Sequence, residues 1–105
     1  MAPPVGLRPE GSAPWTTLMN YLYVLKSERD GGRYIGSTND LKRRIQEHNK
    51  GEVFSTRNRR PLKLFAVQYF DKLTDARLTE HKYKKSRGLY EKAIRDGLLT
   101  IIGET

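Results

Sequence analysis

The chain has 105 residues, 36% of them hydrophobic and 30% charged, the size of one domain with a modest core. It contains no cysteine and two histidines, which excludes disulfide frameworks, zinc fingers, iron–sulfur clusters, thiol nucleophiles and poly-histidine metal sites. Twenty Lys and Arg against twelve Asp and Glu leave a net charge of +8, no apolar run approaches the ~20 residues of a membrane span, and no secretory signal is legible, so the expectation is a soluble, cytoplasmic protein without a membrane partner.

Met1 to Leu18 holds four of the five prolines and few apolar residues, and reads as a disordered extension. The folded unit is expected over 19–97, with 98–105 as a C-terminal tail. Tyr21 to Leu25 is an aromatic and apolar run typical of a strand covered on both faces. A turn at Glu28 to Gly32 leads into a second strand, Arg33 to Ser37, so the two predict an antiparallel hairpin. Thr38, Asn39 and Asp40 all suit an N-cap; a helix follows to about Asn49 and stops at Gly51, with Leu41, Ile45 and His48 on its inward face. After a polar, basic loop, Pro61 opens a third strand, Leu62 to Phe70. Its Leu64, Ala66, Gln68, Phe70 set and its Leu62, Phe65, Val67, Tyr69 set give apolar character on both faces. Thr74 can cap a second helix over about Asp75 to Lys85, Gly88 interrupts, and Leu89 to Arg95 reads as a short third helix. The expected fold is α+β: a three-stranded antiparallel sheet flanked by helices, in the order β-β-α-β-α-α. Leu98 to Ile102 is apolar and fits a strand, a helix end or a contact surface.

The charge is concentrated. Lys42, Arg43, Arg44, Lys50, Arg57, Arg59, Arg60 and Lys63, set against Glu47 and Glu52, give the 42–63 window +6 of the total. Such a stretch points to a polyanion, nucleic acid first, with a merely solvated basic surface as the alternative.

On the second helix Leu73, Ala76, Glu80 and Tyr83 share one face. Glu80 therefore points toward the core side, where a carboxylate has to be paired, hydrogen-bonded or bound to a cation. On the first helix Arg44 and His48 stand four residues apart beside the Leu41–Ile45 stripe, and an Arg fork suits a phosphate. Tyr23 and Tyr34 are candidate neighbours across the hairpin. Each observation also has a plain structural reading: a salt bridge for Glu80, a solvated Arg with a half-buried His, and a packed tyrosine pair.

Taken together these residues resemble the GIY-YIG nucleases. Tyr21-Leu22-Tyr23 and Tyr34-Ile35-Gly36 look like the paired signature of that family. Arg44 lies ten residues after Tyr34 and twenty-one after Tyr23. Arg44 to His48 resembles the family's R-x-x-x-H helix, followed by Asn49-Lys50-Gly51. Thr56 to Pro61 resembles the basic turn of small stand-alone members, and Arg77 to Glu80 the helix that carries the metal-binding Glu. The likeness runs from Tyr21 to about Gly88. Tyr21 and Leu22 stand where the family has Gly and Ile, Ser37 stands where some members have Lys, and no Asn follows Asn58.

The resemblance implies a small single-domain endonuclease that hydrolyses DNA phosphodiesters with Mg²⁺ or Mn²⁺. Glu80 would hold the metal, and Arg44 would bind the scissile phosphate and stabilise transition-state charge. Tyr23 or Tyr34 would orient or deprotonate the attacking water, and His48 would bond to the phosphate or the leaving oxygen. Lys42, Arg43, Arg57, Arg59, Arg60 and Lys63 would contact DNA. A lone inward carboxylate suits a one-metal site, not a two-metal cluster. A restriction-type reading of Asp75, Glu80 and Lys82 fails because residues i and i+2 diverge on a helix. One small domain leaves little surface for base readout, so structure-directed or weakly specific cleavage by a monomer is expected. The alternatives from other classes are a non-catalytic nucleic-acid binding module and a partner-binding role through Leu98 to Ile102.

Overall fold

The structure, a computed structural model, describes residues 19–103; the expected N-terminal extension, 1–18, lies outside the described residues. Strand β1 (Asn20–Ser27) pairs with β2 (Arg33–Thr38) as the expected hairpin. Helix α1 (Leu41–Lys50) follows, then a single 3-10 turn (Arg57–Arg59), β3 (Leu62–Phe70), α2 (Leu73–Lys85), α3 (Arg87–Arg95) and β4 (Thr100–Ile101).

The sheet has four strands, not three, in the order β2-β1-β3-β4, antiparallel throughout. The added strand comes from the undecided 98–102 stretch: Thr100 and Ile101 pair with Val67 and Ala66, and Leu99 is buried in the core beside them. Two residues carry no periodicity to read, and only the waiting edge of β3 makes them a strand.

Helix α1 covers one face of the sheet, and α2 with α3 covers the other. Leu41 of α1 packs with Tyr21, Tyr23, Leu25, Leu62 and Val67 of the sheet. Tyr83 of α2 and Ala93 of α3 pack with Leu22, Val24, Phe65, Ala66 and Leu99. Leu22, Val24, Leu25 and Val67 are wholly buried, each worth about 1.5–3 kcal/mol. Burial on both faces explains why β1 reads as a continuous apolar run.

Strict alternation fails in β3. The register shifts opposite Val24 and Leu25, and this bulge turns Phe65 and Ala66 toward the same layer. Leu64 consequently joins the α1 side with Leu62, Val67 and Tyr69, and Phe65 joins the α2 side, reversing the expected faces of those two residues.

The helix ends are set locally. Asp40 caps α1 by accepting from the Arg43 amide at 3.2 Å, and Gly51 ends it with φ 84°. Helix α2 starts at Leu73, ahead of the expected Thr74 cap. The break before α3 falls at Ser86, whose hydroxyl accepts from the Leu89 amide at 3.2 Å, and Gly88 lies inside the first turn. Asn49 ties the end of α1 to the start of β3 through two bonds, donating to the Leu62 carbonyl at 2.9 Å and accepting from the Leu62 amide at 2.8 Å.

Candidate active site

The site straddles β2, an edge strand with α1 above it and α2 below. Tyr23 lies opposite Gly36 in the hairpin register and Tyr34 opposite Leu25, so the two tyrosines are diagonal neighbours with ring centroids 6.4 Å apart. The glycine is sterically required. A Cβ at position 36 would fall on the Tyr23 hydroxyl, so only hydrogen there lets the ring fold across the strand.

Tyr23, 1% exposed, belongs to a buried polar row. Its hydroxyl meets His48 Nε2 at 2.9 Å, and His48 Nδ1 meets the Thr56 hydroxyl at 2.7 Å. His48 and Thr56 are both wholly buried. The Arg44 guanidinium lies beside the Tyr23 oxygen and acts against the effect of burial on it. With the Arg44 cation beside that oxygen, the hydroxyl proton is directed away from it, to His48 Nε2. His48 then carries its proton on Nδ1 and donates it to Thr56, which leaves each buried polar atom with a partner. Burial pushes the Tyr23 hydroxyl up to about 12, with Arg44 opposing and the charges of Tyr34 and Glu80 adding. Burial, then the Arg44 charge, pushes His48 down from 6.5 to about 4. Both groups are therefore neutral at pH 7.

Arg44, half-buried, also pairs with Glu47 at 2.8 Å. It lines a small polar concavity of about 290 Å³ with Ser37, Thr38, Arg43 and Arg77. Three guanidinium groups and no carboxylate line this cleft, a donor set suited to a phosphate.

Glu80 reaches the same strand from below. Its Oε1 accepts from Ser37 Oγ at 2.6 Å, and its Oε2 pairs with Lys84 at 2.8 Å. The Lys84 ammonium also lies 5.2 Å from the centre of the Tyr34 ring. The carboxylate is a hard oxygen donor at a half-open position, which fits Mg²⁺ or Mn²⁺ held by one protein ligand and water. Among the described residues no group of three His, Cys, Asp or Glu could hold a metal.

Tyr23, Tyr34, Arg44, His48 and Glu80 are thus assembled around β2. Lys42, Arg43, Arg57, Arg60 and Lys63 are exposed and Arg59 is half-buried. Arg43 pairs with Glu47 at 2.7 Å, Arg59 with Asp30 at 2.9 Å and Lys63 with Glu28 at 2.8 Å. Sequence reasoning gave no site role to Thr56, Lys84 or Arg77. The i,i+4 spacing of Glu80 and Lys84 is a legible signal; Thr56 carries none, because its partner lies eight residues back across a loop.

A model of the GIY-YIG catalytic domain matches residues 19–92. A UPF0213 protein of Clostridium perfringens is 41% identical over 68 residues, covering 64% of this chain and 72% of the relative. A UPF0213 protein of Bacillus pumilus is 38% identical over 81 residues, covering 72% and 82%. The solution NMR structure of a UPF0213 protein from Bacillus halodurans is 34% identical and covers 73% of this chain and 83% of that one, with a TM-score of 0.46.

Proposed function

Since the chain belongs to the GIY-YIG catalytic-domain family, a nuclease family, we propose that it is a metal-dependent endonuclease that hydrolyses DNA phosphodiester bonds. The observation that carries the reading is the convergence on one edge strand of Arg44, set beside the Tyr23 hydroxyl in a polar cleft, and the half-open Glu80 carboxylate held by Ser37. Packing needs neither group. Plain DNA binding needs no carboxylate beside a phosphate cleft.

The scissile phosphate sits in the cleft of Arg44, Arg43 and Arg77, where the Arg44 fork bonds to a non-bridging oxygen and stabilises the charge that develops there. A water oxygen bonds to phosphorus as one P–O ester bond breaks, the water releasing a proton to solvent and the departing oxygen taking one up from solvent. Tyr34, partly exposed, orients that water through its hydroxyl. Tyr23 is buried and strongly protonated, so its part is to align Arg44. His48, with both nitrogens engaged, aligns Tyr23 and does not reach the phosphate. Glu80 would hold the divalent ion, which supplies Lewis-acid polarisation of a phosphoryl oxygen when bound.

The duplex is held by exposed Lys42, Arg43, Arg57, Arg60 and Lys63, with Arg59 shaping the loop through Asp30. Contacts of this kind are independent of sequence and weaken steeply with salt, in keeping with structure-directed or weakly specific cleavage. Nicking and cutting of duplex, branched and single-stranded DNA in Mg²⁺ or in EDTA tests the reading. Metal-dependent product is expected. Binding without cleavage on every substrate would leave a nucleic-acid binding module instead.

A further inference from the structure

Strand β2 carries a second, larger concavity beside the phosphate cleft. Residues 37–39 line the cleft; residues 31–35 line a groove of about 650 Å³ between the edge strand and helices α2 and α3. The groove shares Tyr34 and Lys84 with the active site.

The linings differ in kind. The cleft is small and polar, with three guanidinium groups and no aromatic ring, whereas the groove has an aromatic floor and a cationic rim. Phe65, Tyr83 and Tyr90 form the floor, the two tyrosine rings meeting edge-on at 6.3 Å. Arg33, Lys84 and Arg87 form the rim, and the Arg33 guanidinium lies 4.1 Å from the centre of the Phe65 ring. The single carboxylate of the lining, Glu91, pairs with Arg87 at 3.0 Å. The volume lies within the range of small-ligand sites, about 300–1,000 Å³. A duplex presents only a ridge of phosphates to such a groove, because its bases are stacked inside. An aromatic floor is reached by a base that has left the stack.

We propose that this groove takes an unpaired nucleobase of a nucleotide flanking the scissile phosphate, its ring stacking on Tyr90 and on the Arg33–Phe65 pair and its phosphate meeting Arg87 or Lys84. The position relative to the scissile bond rests on the endonuclease reading; the base site does not, and it is tested without cleavage.

The experiment is equilibrium binding in EDTA of a short oligothymidylate, of the same backbone with every base removed, and of a short duplex. Wild-type protein is expected to bind the oligothymidylate about tenfold more tightly than the abasic strand, the size of one base–aromatic stack. Tyr90→Ala should remove that preference and leave duplex affinity nearly unchanged, and Tyr90→Phe should keep it. As a readout that needs no variant, thymidine 5′-monophosphate should shift the amide resonances of 31–35 and 87–91 in the wild-type protein. Equal affinity for intact and abasic strands would overturn the proposal, as would nucleotide shifts confined to other segments. Cleavage in Mg²⁺ with base-independent binding would remove the groove and leave the nuclease. Base-dependent binding with no cleavage would do the opposite.

Discussion

The two sides of β2 are built on opposite physical terms. On the α1 side Thr56, His48 and Tyr23 are between 0% and 1% exposed and joined by bonds of 2.7 and 2.9 Å. On the α2 side Ser37, Glu80 and Lys84 are joined by bonds of 2.6 and 2.8 Å, but the Glu80 and Lys84 side chains are 20% and 45% exposed. The bond lengths are alike and the surroundings are not. In the dry row a lost partner leaves a polar atom that water cannot reach. In the wet pair water or a cation replaces the partner at little cost. The dry half holds a geometry, and the wet half leaves a carboxylate free to change partners, as a metal ligand must.

The sharpest break of that contrast is at Glu80. Glu80→Gln keeps the shape and the Ser37 contact but removes the charge, and should lower single-turnover cleavage on the order of a thousandfold or more with folding and DNA binding nearly intact. Substantial Mg²⁺-dependent cutting by the folded variant would end its assignment as the metal ligand.

Arg44 joins the halves, because its guanidinium lies beside Tyr23 and lines the cleft. Arg44→Lys keeps the charge and loses the planar fork, so the single-turnover rate should fall roughly a hundredfold. Affinity for uncut DNA in Ca²⁺ should change little, since exposed Lys42, Arg43, Arg57 and Arg60 remain. Equal losses of rate and affinity would make Arg44 a binding residue.

The dry row should answer to acid. Burial holds His48 down from 6.5 to about 4, so the unfolded chain binds the additional proton between those values. The contribution to stability is whole above pH ~6.5 and falls as the pH drops through 4, by on the order of 3 kcal/mol. Denaturant unfolding at pH 7 and pH 4, with His48→Gln alongside, isolates it, since the variant should lose that increment of acid sensitivity. Identical pH dependence in both proteins would contradict a buried neutral imidazole.

The smallest effects give the closest test, because one polar contact is removed from each half. Thr56→Val is isosteric and strands His48 Nδ1, so it should cost about 1–3 kcal/mol, with Thr56→Ser restoring most of it. Lys84→Met breaks a pair of similar length, 2.8 Å against 2.7 Å, and should cost less than about 1 kcal/mol. Chemical denaturation at pH 7 measures both, and a reversed order would erase the distinction between the two sides.

Much of this was legible in local chemistry. The hairpin, the caps at Asp40 and Gly51, and the 3.6-residue face carrying Glu80 are signals within a few residues of the atoms they position, and the family resemblance named Tyr23, Tyr34, Arg44, His48 and Glu80 as candidates, which the fold gathers around β2. Tertiary structure alone decided their states. A Thr56 hydroxyl meets His48 only when the loop folds back under α1. Tyr23 becomes a strongly protonated, buried hydroxyl only beneath that helix, and Phe65 turns to the α2 side only through a bulge set by its pairing with β1. Thr100 and Ile101 become a strand only because β3 offers an unpaired edge. Propensity and periodicity act over one turn or one pleat, whereas burial, register and proton affinity depend on groups brought together from distant parts of the chain, and these separate the dry half of the site from the wet one.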